Sequence, residues 1–422
     1  MDVKKVIIIG AGPAGMMAAI RAADFKHDVI LIEKNAIPGR KLLLSGKGRC
    51  NLTNACDLDS FLKRFYGQGD FLRDAFKKFF VCDLMRFFEE RGLQLKVERQ
   101  ERVFPVTDRS HSIADILKKE LERKKVKVLY SRSVLDIRSS EGRVTGVGLD
   151  NGVVLPAEKV VVATGGVSYT FTGSTGDGLR WAEKLGHRIT PLRGGLVPLE
   201  TKEKYPASLE GVTLKNIKII FSRGNKSISS DIGELIFTST GISGPLVLSL
   251  SGYVSDWLKE QKHQKKSDKD KVFADIDLKP ALSEKQLHDR LVREFKINAT
   301  KSIKNTLKEL LPMRMIEVFL SVSGIPPAKK ANQINSEERG IIVTLLKRFR
   351  FEITRTRPLE EAMVTRGGVS LKDINPRTME SRLIQGLYFA GEILDVDADT
   401  GGFNLQSAFS TGYAAGESAA NN

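Results

Sequence analysis

The segment Gly10–Gly15 (GAGPAG) has the spacing of a turn that binds a dinucleotide. In the pattern G-x-G-x-x-G the first glycine permits a tight turn, the second lets the backbone approach a pyrophosphate, and the third lets the helix pack against the strand. The N-terminus of the following helix adds partial positive charge. Glu33 lies about 20 residues further on, where an acidic side chain holds a ribose hydroxyl. The spacing predicts cofactor contacts from Gly10, Ala11, Gly12, Pro13, Ala14, Gly15, Glu33 and the adjoining Lys34.

A second run, Lys41–Asn54 (KLLLSGKGRCNLTN), combines glycines around a lysine with two nearby cysteines. A triphosphate loop requires G-x-x-x-x-G-K-[ST], whereas the residue after this lysine is Gly48. A redox dithiol requires the short C-x-x-C spacing, which Cys50 and Cys56 do not have. The remaining interpretation is a glycine-rich loop that passes close to a bound cofactor. It predicts contacts from Arg40, Lys41, Ser45, Gly46 and Gly48.

Hydrophobic periodicity predicts the elements that position these residues. Strand, glycine turn, helix and strand over residues 1–35 indicate a βαβ unit. The phenylalanines within 57–91 have helical spacing, which is more typical of a packed core than of a base-stacking platform. The charged stretch 259–271 (KEQKHQKKSDKDK) is predicted as a solvated loop.

The α/β pattern is interrupted once in the middle of the chain. We predict one α/β domain built from residues 1–190 and 358–422, with a domain inserted at 191–357. Within the insertion, residues 191–275 favour β-structure, and residues 283–349 favour helices broken by prolines.

Three further segments carry a resemblance to known flavoproteins. Leu387–Gly416 and Val160–Tyr169 resemble the cofactor-facing segments of the glutathione-reductase and fumarate-reductase superfamily. Together with Gly39–Asn54, the segments Phe237–Pro245 and Gly367–Arg382 resemble the BaiN-type, HI0933-like NAD(P)/FAD-dependent oxidoreductases. The resemblance implies a Rossmann-like FAD-binding domain interrupted by a β-barrel-plus-helices domain. The sequence departs from that family's pattern at Ser239, where histidine is frequent, and at Arg366, where a small residue is usual.

The resemblance also implies cofactor residues that lie far from the first glycine turn. The last helix of these proteins points its N-terminus at the flavin pyrimidine edge, where the reduced ring carries negative charge. The implied FAD contacts are Val134, Thr164, Gly165, Gly166, Asp177, Gly391, Glu392, Gly401, Gly402, Phe403, Asn404 and Leu405. Only one G-x-G-x-x-G precedes a βαβ unit, so NADH or NADPH is expected to visit the flavin transiently, with another hydride donor as the alternative.

The resemblance implies reduction of a carbon–carbon double bond, but it leaves the substrate open. One branch of the family resembles a ribosomal RNA dihydrouridine synthase, and another is associated with bile-acid dehydroxylation. For the proton that completes the reduction, Cys50 is the predicted donor, with a packing role under the flavin ring as the alternative. Arg49 and Asn51 are predicted to orient substrate or flavin. A flavin-bound protein without turnover is the third alternative.

The net charge of +16, with a pI near 9.6, favours a polyanionic partner such as ribosomal RNA. Residues 191–360 carry 30 Lys and Arg against 20 Asp and Glu. Phosphate contacts are predicted from Lys215, Lys218, Arg223, Lys226, Lys329, Lys330, Lys347, Arg348 and Arg350. A solvated basic face, with a small-molecule substrate instead of RNA, is the alternative.

The remaining composition bears on compartment and cofactors. Three cysteines are too few for a disulfide framework, and neither a signal peptide nor an apolar stretch of membrane-spanning length is present. We therefore expect a cytoplasmic protein without a membrane segment. Five scattered histidines give no metal-ligand spacing, so no metal is expected. The sequence leaves the oligomeric state open.

Overall fold

The structure is a computed structural model that describes residues 5–25, 27–262 and 270–421. The chain folds into two compact units, Met1–Gly195 with Leu359–Asn422, and Leu196–Pro358. The described strands are β1 (Lys5–Ile9), β2 (Asp28–Glu33), β3 (Thr53–Asn54), β4 (Leu95–Val97), β5 (Arg102–Pro105), β6 (Lys127–Tyr130), β7 (Val134–Ser140), β8 (Arg143–Leu149), β9 (Val154–Pro156), β10 (Lys159–Val162), β11 (Ile189–Gly195), β12 (Leu199–Thr201), β13 (Thr213–Arg223), β14 (Lys226–Ser229), β15 (Gly233–Thr238), β16 (Gly241–Ser243), β17 (Val272–Asp277), β18 (Phe349–Thr356), β19 (Val364–Val369) and β20 (Leu387–Phe389).

In the first unit the described α-helices alternate with these strands. In the second unit most of them lie in its second half. They are α1 (Pro13–Ala22), α2 (Arg40–Leu44), α3 (Leu58–Leu62), α4 (Arg73–Lys78), α5 (Val81–Glu89), α6 (Ser110–Arg123), α7 (Asp177–Lys184), α8 (Pro245–Lys262), α9 (Glu284–Ile297), α10 (Ile303–Thr306), α11 (Met313–Ser323), α12 (Ser336–Lys347) and α13 (Phe403–Asn421).

The first unit is built on a parallel sheet with the strand order β20-β10-β1-β2-β6. Its strands are continuous runs of β-branched and other apolar residues. In β1 the side chains from Val6 to Ile8 are fully buried, and in β10 those from Val160 to Val162 are fully buried. Strands of that composition are typical of a sheet covered on both faces. Parallel pairing places the carboxyl ends of β1, β2 and β10 at one edge, where the segments that follow them meet.

Helices α1 and α13 pack against each other with their backbones touching. A Cβ atom added at Gly412 would lie 2.2 Å from the Ala14 carbonyl oxygen, and one at Gly416 would lie 2.2 Å from that of Ala18. Both pairs are spaced four residues apart, so a row of small side chains on one helix faces a row on the other. This crossing joins the first helix of the chain to the last.

A buried carboxylate joins α5 and α6 in the same unit. The side chain of Glu120 is 4% exposed and accepts hydrogen bonds from Arg123 and Arg91. The hydrogen bond from Arg123 is the largest influence, and it and Arg91 together lower the pKa of Glu120 to about 2 against the opposing effect of burial. The predicted core role of the nearby phenylalanines agrees with their burial, since Phe61, Phe65 and Phe88 are fully buried.

In the second unit the antiparallel strands close into a ring. The strand order is β14-β13-β15-β16-β12-β18-β17, and β13 also pairs with β17 from Lys218–Asp277 to Ser222–Phe273. Strand β14 extends β13 as a hairpin outside that ring. The apolar side chains inside the ring share one core with helices α8, α9, α11 and α12.

Two local expectations differ from the structure. Helix α8 occupies Pro245–Lys262, inside the segment that the sequence assigns to β-structure, and strand β18 follows the helices instead of preceding them. Of the predicted solvated loop 259–271, the first four residues belong to α8, and 263–269 lie outside the described residues. The run LVLSL after Pro245 is rich in apolar residues that suit either structure, and packing of α8 on the ring decides for helix.

Within the described residues, no helix is both long enough and apolar enough to cross a membrane.

Candidate cofactor site

The glycine turn between β1 and α1 has the geometry of an anion-binding site. Gly10 has φ +100°, and a Cβ there would lie 2.6 Å from the Ala163 carbonyl oxygen. A Cβ at Gly15 would lie 1.8 Å from the carbonyl oxygen of Gly10, so helix and turn touch at backbone level. Gly12 caps α1 without a side-chain hydrogen bond and has no atom within 4 Å of its Cβ position. The N-terminus of α1 is therefore open to an approaching diphosphate.

Glu33 fixes this turn from the end of β2. The side chain is 7% exposed, and its Oε2 accepts a hydrogen bond of 2.8 Å from the Ala11 N–H. Its Oε1 accepts from both the backbone and the side chain of Asn35, at 2.8 and 2.7 Å. The carboxylate thus ties the glycine turn to the segment after β2, and its contact with a ribose stays a prediction.

Several predicted cofactor residues are engaged with protein groups around this turn. Lys34 Nζ lies 2.8 Å from Asp177 Oδ2, and Arg180 also pairs with that carboxylate. Arg40 Nη1 donates to Asn35 Oδ1 at 2.8 Å. Val134 begins β7 and is 8% exposed. Lys34, Asp177 and Arg40 hold the walls of the site together, and direct cofactor contacts from them stay predictions.

A second turn follows β10 and contains Thr164, Gly165 and Gly166. The Oγ1 atom of Thr164 is buried and has no hydrogen-bond partner among the described residues. A Cβ at Gly166 would lie 2.2 Å from Thr365 Oγ1, so the backbone of this turn is also in close contact with Thr365. A buried hydroxyl without a partner costs free energy unless another polar group reaches it. Its position beside the Gly10 turn fits a bound polar cofactor.

Lys41 and Glu392 form a charged pair inside the site. The Glu392 carboxylate lies 2.6 Å from Lys41 Nζ, 3.1 Å from Ser168 Oγ and 2.7 Å from the Thr365 N–H. Thr365 Oγ1 in turn accepts from the backbone N–H groups of Val167 and Ser168. Lys41 therefore neutralises Glu392. The contact between Lys41 and the cofactor that the sequence predicts stays a prediction. The network joins α2, the second turn and the segment after β20.

The run 45–56 packs against the N-terminus of α13. A Cβ at Gly402 would lie 2.4 Å from the Thr53 carbonyl group, and Thr53 Oγ1 donates to Gln406 Oε1 at 2.7 Å. With its amide oriented to satisfy both groups, Asn51 donates to the Thr53 carbonyl and accepts from the Gly402 N–H at 3.2 Å. Asn54 Nδ2 donates to the Gly401 carbonyl at 3.3 Å. The structure brings together two segments some 350 residues apart in the sequence.

The backbone of this run is held in the left-handed region at several positions. Gly46 and Lys47 both have φ +57°, Gly48 has φ +84° and Cys50 has φ +59°. Left-handed backbone is unfavourable for lysine and cysteine, so the surrounding contacts must maintain it. Such strain is frequent at sites where backbone has to follow a ligand.

The three predicted catalytic residues have different surroundings. Cys50 is fully buried, and burial raises the pKa of its thiol to about 12. Arg49 Nη2 lies 2.5 Å from Glu98 Oε1 and 2.6 Å from Asp108 Oδ1. Its guanidinium carbon also lies 4.2 Å from the centre of the Phe104 ring. These contacts favour the packing role for Cys50 and a structural role for Arg49, and Asn51 holds the helix terminus.

The acidic loop 395–399 forms a further network before α13. Tyr66 Oη donates to Asp399 Oδ1 at 2.9 Å, and the Arg366 guanidinium carbon lies 4.9 Å from the centre of the Tyr66 ring. Arg366 Nε lies 3.4 Å from Oδ2 of Asp397, whose side chain is 4% exposed. Burial and the neighbouring Asp399 raise the pKa of Tyr66 above its usual range. The unusual arginine at 366 was the available sequence signal for this cluster.

The remaining residues of the last segment have mixed roles. Asn404 accepts from the Ala398 N–H at 2.9 Å and donates to its carbonyl at 2.9 Å, which closes the acidic loop onto α13. The Phe403 ring is buried, with its centre 4.7 Å from that of Phe61. Leu405 is partly buried against the core, and Gly391 donates its N–H to Thr411 Oγ1. Phe403 is a core residue, whereas Asn404 shapes the site.

Most of the basic residues predicted to bind phosphate are paired within the second unit. Arg223 and Lys226 pair with Glu260, Arg348 and Arg350 with Asp275, Lys329 with Glu338, and Lys347 with Asp277. The side chain of Arg223 is only 7% exposed, which excludes it from a phosphate contact in this conformation. Lys215, Lys218 and Lys330 have no ion pair among the described residues. These three are therefore the predicted residues whose charge has no carboxylate partner, and phosphate contacts from the exposed paired residues stay predictions.

No cluster of three or more His, Cys, Asp or Glu side chains in the described part of the chain is arranged to hold a metal ion. The uncapped α1, the buried Thr164 hydroxyl and the strained run 45–50 instead fit a dinucleotide with a ring system at the N-terminus of α13.

Comparison with known proteins identifies the family of the chain. The family model described as HI0933-like protein Rossmann domain matches residues 4–418. The chain is 32% identical to the 3-dehydro-bile acid delta(4,6)-reductase of Clostridium scindens over 99% of both chains. It is also 32% identical to the ribosomal RNA dihydrouridine synthase of Escherichia coli over 97% of this chain and 96% of that protein.

A solved structure shares the fold. The 3-ketosteroid delta1-dehydrogenase of Sterolibacterium denitrificans superposes with a TM-score of 0.55 at 15% identity, covering all of both chains. The predicted Rossmann-like flavoprotein fold is thereby confirmed. The chain belongs to the HI0933-like family and is an FAD-dependent oxidoreductase.

Proposed function

We propose that this protein reduces a carbon–carbon double bond with hydride from NADH or NADPH, and that the bond is C5–C6 of uridine in ribosomal RNA. The observation that carries the proposal is the full-length similarity to a ribosomal RNA dihydrouridine synthase, at 32% identity. The net charge of +16 supports a polyanionic substrate over a small neutral one. Both curated relatives are named for reactions in which a double bond is reduced.

FAD, when bound, supplies the hydride-transfer chemistry between nicotinamide and alkene. The open N-terminus of α1 and the backbone around Gly12 would hold its diphosphate, with Glu33 fixing the turn. The N-terminus of α13, anchored by Asn51 and Thr53, would favour negative charge on the ring system. The residues of this chain thus bind and orient the cofactor.

Reduction of the double bond also requires a proton donor. The high pKa of Cys50 keeps its thiol protonated at neutral pH, but its complete burial separates it from a substrate. Arg49 is held by two carboxylates. Proton donation from Cys50 therefore stays a prediction, and a water molecule at the site is the competing source.

Reduction of a double bond in a small molecule is the second candidate function. Equal identity to the bile-acid reductase of Clostridium scindens, over 99% of both chains, supports it. So does the finding that six of the nine basic residues first assigned to phosphate contacts form ion pairs within the protein. A small acid needs only a few cations at the site.

Two experiments separate these candidates. The chain is expressed in an Escherichia coli strain that lacks its ribosomal RNA dihydrouridine synthase, and dihydrouridine is mapped in the ribosomal RNA. In parallel, the protein is reduced anaerobically with NADH or NADPH and mixed with a ribosomal RNA fragment or a panel of enoates, while flavin absorbance is followed. Restored dihydrouridine and reoxidation by RNA support the first candidate. Reoxidation by an enoate alone supports the second, and reoxidation by neither contradicts both.

A further inference from the structure

A cavity of about 280 Å³ opens in the helical part of the second unit. It lies between the C-terminal end of α9, the turn that follows, and the first half of α12. Its lining residues are Val292, Phe295, Lys296, Ala299, Ala331, Asn332, Ile334 and Arg339. All of them belong to the unit Leu196–Pro358, so the cavity is complete within it.

The walls of the cavity combine an apolar surface with cations. Phe295, Ala331 and Ile334 are buried core residues that present the apolar side. Lys296 and Arg339 are the charged lining residues, and no carboxylate lines the cavity. The site therefore suits a ligand that carries both an apolar plane and negative charge.

Arg339 has unused hydrogen-bonding capacity at this position. Its Nη1 donates to the Ile334 carbonyl at 2.9 Å. Its Nε is buried and has no partner among the described residues. Because Arg339 lines the cavity, the guanidinium N–H groups that are not bonded to Ile334 can donate to a ligand that brings an acceptor.

Two more cations lie on paired segments next to the lining residue Ala331. The Ala331 N–H donates to the Lys301 carbonyl at 2.9 Å, and Ser302 forms a β-bridge with Lys330. The side chains of Lys301 and Lys330 are exposed, and neither takes part in an ion pair within the described residues. With Lys296 and Arg339 they form a group of four cations that extends beyond the cavity itself.

We propose that this cavity seats one nucleotide of a single-stranded segment of RNA. The base packs on the exposed Val292 and on the accessible edges of Phe295 and Ile334, and the adjoining phosphates contact Lys296 and Arg339. The volume lies just below the roughly 300 Å³ at which pockets for drug-sized ligands begin, which suits a single base. A small anion would require only the cations inside the cavity, whereas Lys301 and Lys330 continue the positive charge along a chain of phosphates. This inference rests on the proposed ribosomal RNA substrate.

Binding of a fluorescein-labelled single-stranded oligouridine to the FAD-loaded full chain, followed by fluorescence anisotropy over a salt series, tests the inference. In the double variant Lys296→Gln/Arg339→Gln, the slope of the logarithm of the binding constant against the logarithm of the salt concentration should be shallower by about 1.4. Each phosphate contact on a single strand contributes about 0.7 to that slope. Ala299→Phe fills the cavity without a change of charge. It should lower affinity about 5- to 100-fold, as expected for one stacked base.

Lys285→Gln is the matched control. Lys285 is exposed and unpaired within the described residues, and it lies about 16 Å from Lys296 along the same helix. Lys285→Gln should lower the affinity only as much as the loss of one surface charge does. It should leave the effect of Ala299→Phe on affinity unchanged. Melting temperature and flavin absorbance of each variant confirm that the fold and the cofactor are intact.

The inference is overturned if the parent protein does not bind the oligonucleotide, if Ala299→Phe binds as tightly as the parent, or if Lys285→Gln weakens binding as much as Lys296→Gln does. Its failure is distinguishable from failure of the proposed function. If Ala299→Phe restores dihydrouridine as well as the parent does, only the cavity assignment is wrong. If the parent restores none, the RNA substrate itself is wrong.

Discussion

The close packing of α1 on α13 predicts that a substitution normally favourable in a helix will destabilise this protein. Replacing glycine by alanine inside a helix adds about 1 kcal/mol of stability, because the unfolded chain loses conformational freedom. At Gly416 the added Cβ would lie 2.2 Å from the Ala18 carbonyl oxygen, a separation that carbon and oxygen do not tolerate. The two helices would have to separate by roughly 1 Å.

The expected magnitude follows from setting the two effects against each other. Forcing an extra carbon into a tightly packed contact costs about 1–3 kcal/mol. The contacting atom is backbone on a helix anchored in the sheet, so it cannot turn aside, and the upper half of that range applies. After the helix-propensity gain of about 1 kcal/mol, Gly416→Ala should lower the free energy of unfolding by about 1–2 kcal/mol. FAD affinity should also fall, because α1 begins at the glycine turn.

Gly340→Ala is the matched control for Gly416→Ala. Gly340 lies in α12 with no atom within 4 Å of its Cβ position, so alanine there should stabilise by about 1 kcal/mol. Each unit contains one tryptophan, Trp181 in the first and Trp257 in the second, so each can be followed separately. Urea unfolding of Gly416→Ala is read from Trp181 in a Trp257→Phe background, and that of Gly340→Ala from Trp257 in a Trp181→Phe background. A Gly416→Ala protein as stable as its parent would refute the backbone-level contact.

Three further predictions follow from the buried groups. Cys50, with its pKa of about 12, should resist a thiol reagent at pH 8 in the folded protein, whereas the exposed Cys82 should react; a spectrophotometric count of fast thiols in a Cys82→Ser variant checks this, and rapid labelling of Cys50 would contradict it. Because the pKa of Glu120 is lowered to about 2, its contribution to stability is fully present above about pH 4.5 and is lost as pH falls towards 2. Glu120→Gln should therefore cost about 2–3 kcal/mol at pH 7, and urea unfolding at pH 3 should show a smaller difference from the parent; a constant difference would argue against the pairing. Glu33→Ala should weaken FAD binding about 10- to 100-fold through loss of the Ala11 hydrogen bond, measured by flavin fluorescence, while the exposed Glu183→Ala should have no effect.

The sequence could predict those parts of the molecule in which short-range pattern decides structure. The G-x-G-x-x-G spacing fixes a strand, a turn and a helix within a dozen residues, and β1, α1 and β2 lie where the pattern indicates. The glycines of the C-terminal segment are equally local, because Gly401 and Gly402 precede a helix. Spacing alone carries such predictions.

Long-range pairing could not be predicted in the same way. Whether Lys347 meets a phosphate or Asp277 depends on a contact between segments 70 residues apart, and the structure chooses Asp277 at 2.6 Å. Likewise, the role of Asn51 depends on Gly402, which comes near only after the whole chain has folded. A count of basic residues along the sequence therefore overestimates the number of unpaired cations that a partner meets.

The packing of α1 on α13 also sets an order of events during protein synthesis. The second unit is one continuous segment, Leu196–Pro358, and all its strands have been made before the last helix leaves the ribosome. The first unit, in contrast, lacks β20 and α13 until after the second unit has been made, so the apolar side of α1 has to wait for its partner. Because domains fold as they emerge, the inserted unit should fold before the unit into which it is inserted. Loading of FAD, which needs the N-termini of both α1 and α13, should then follow folding of the second unit.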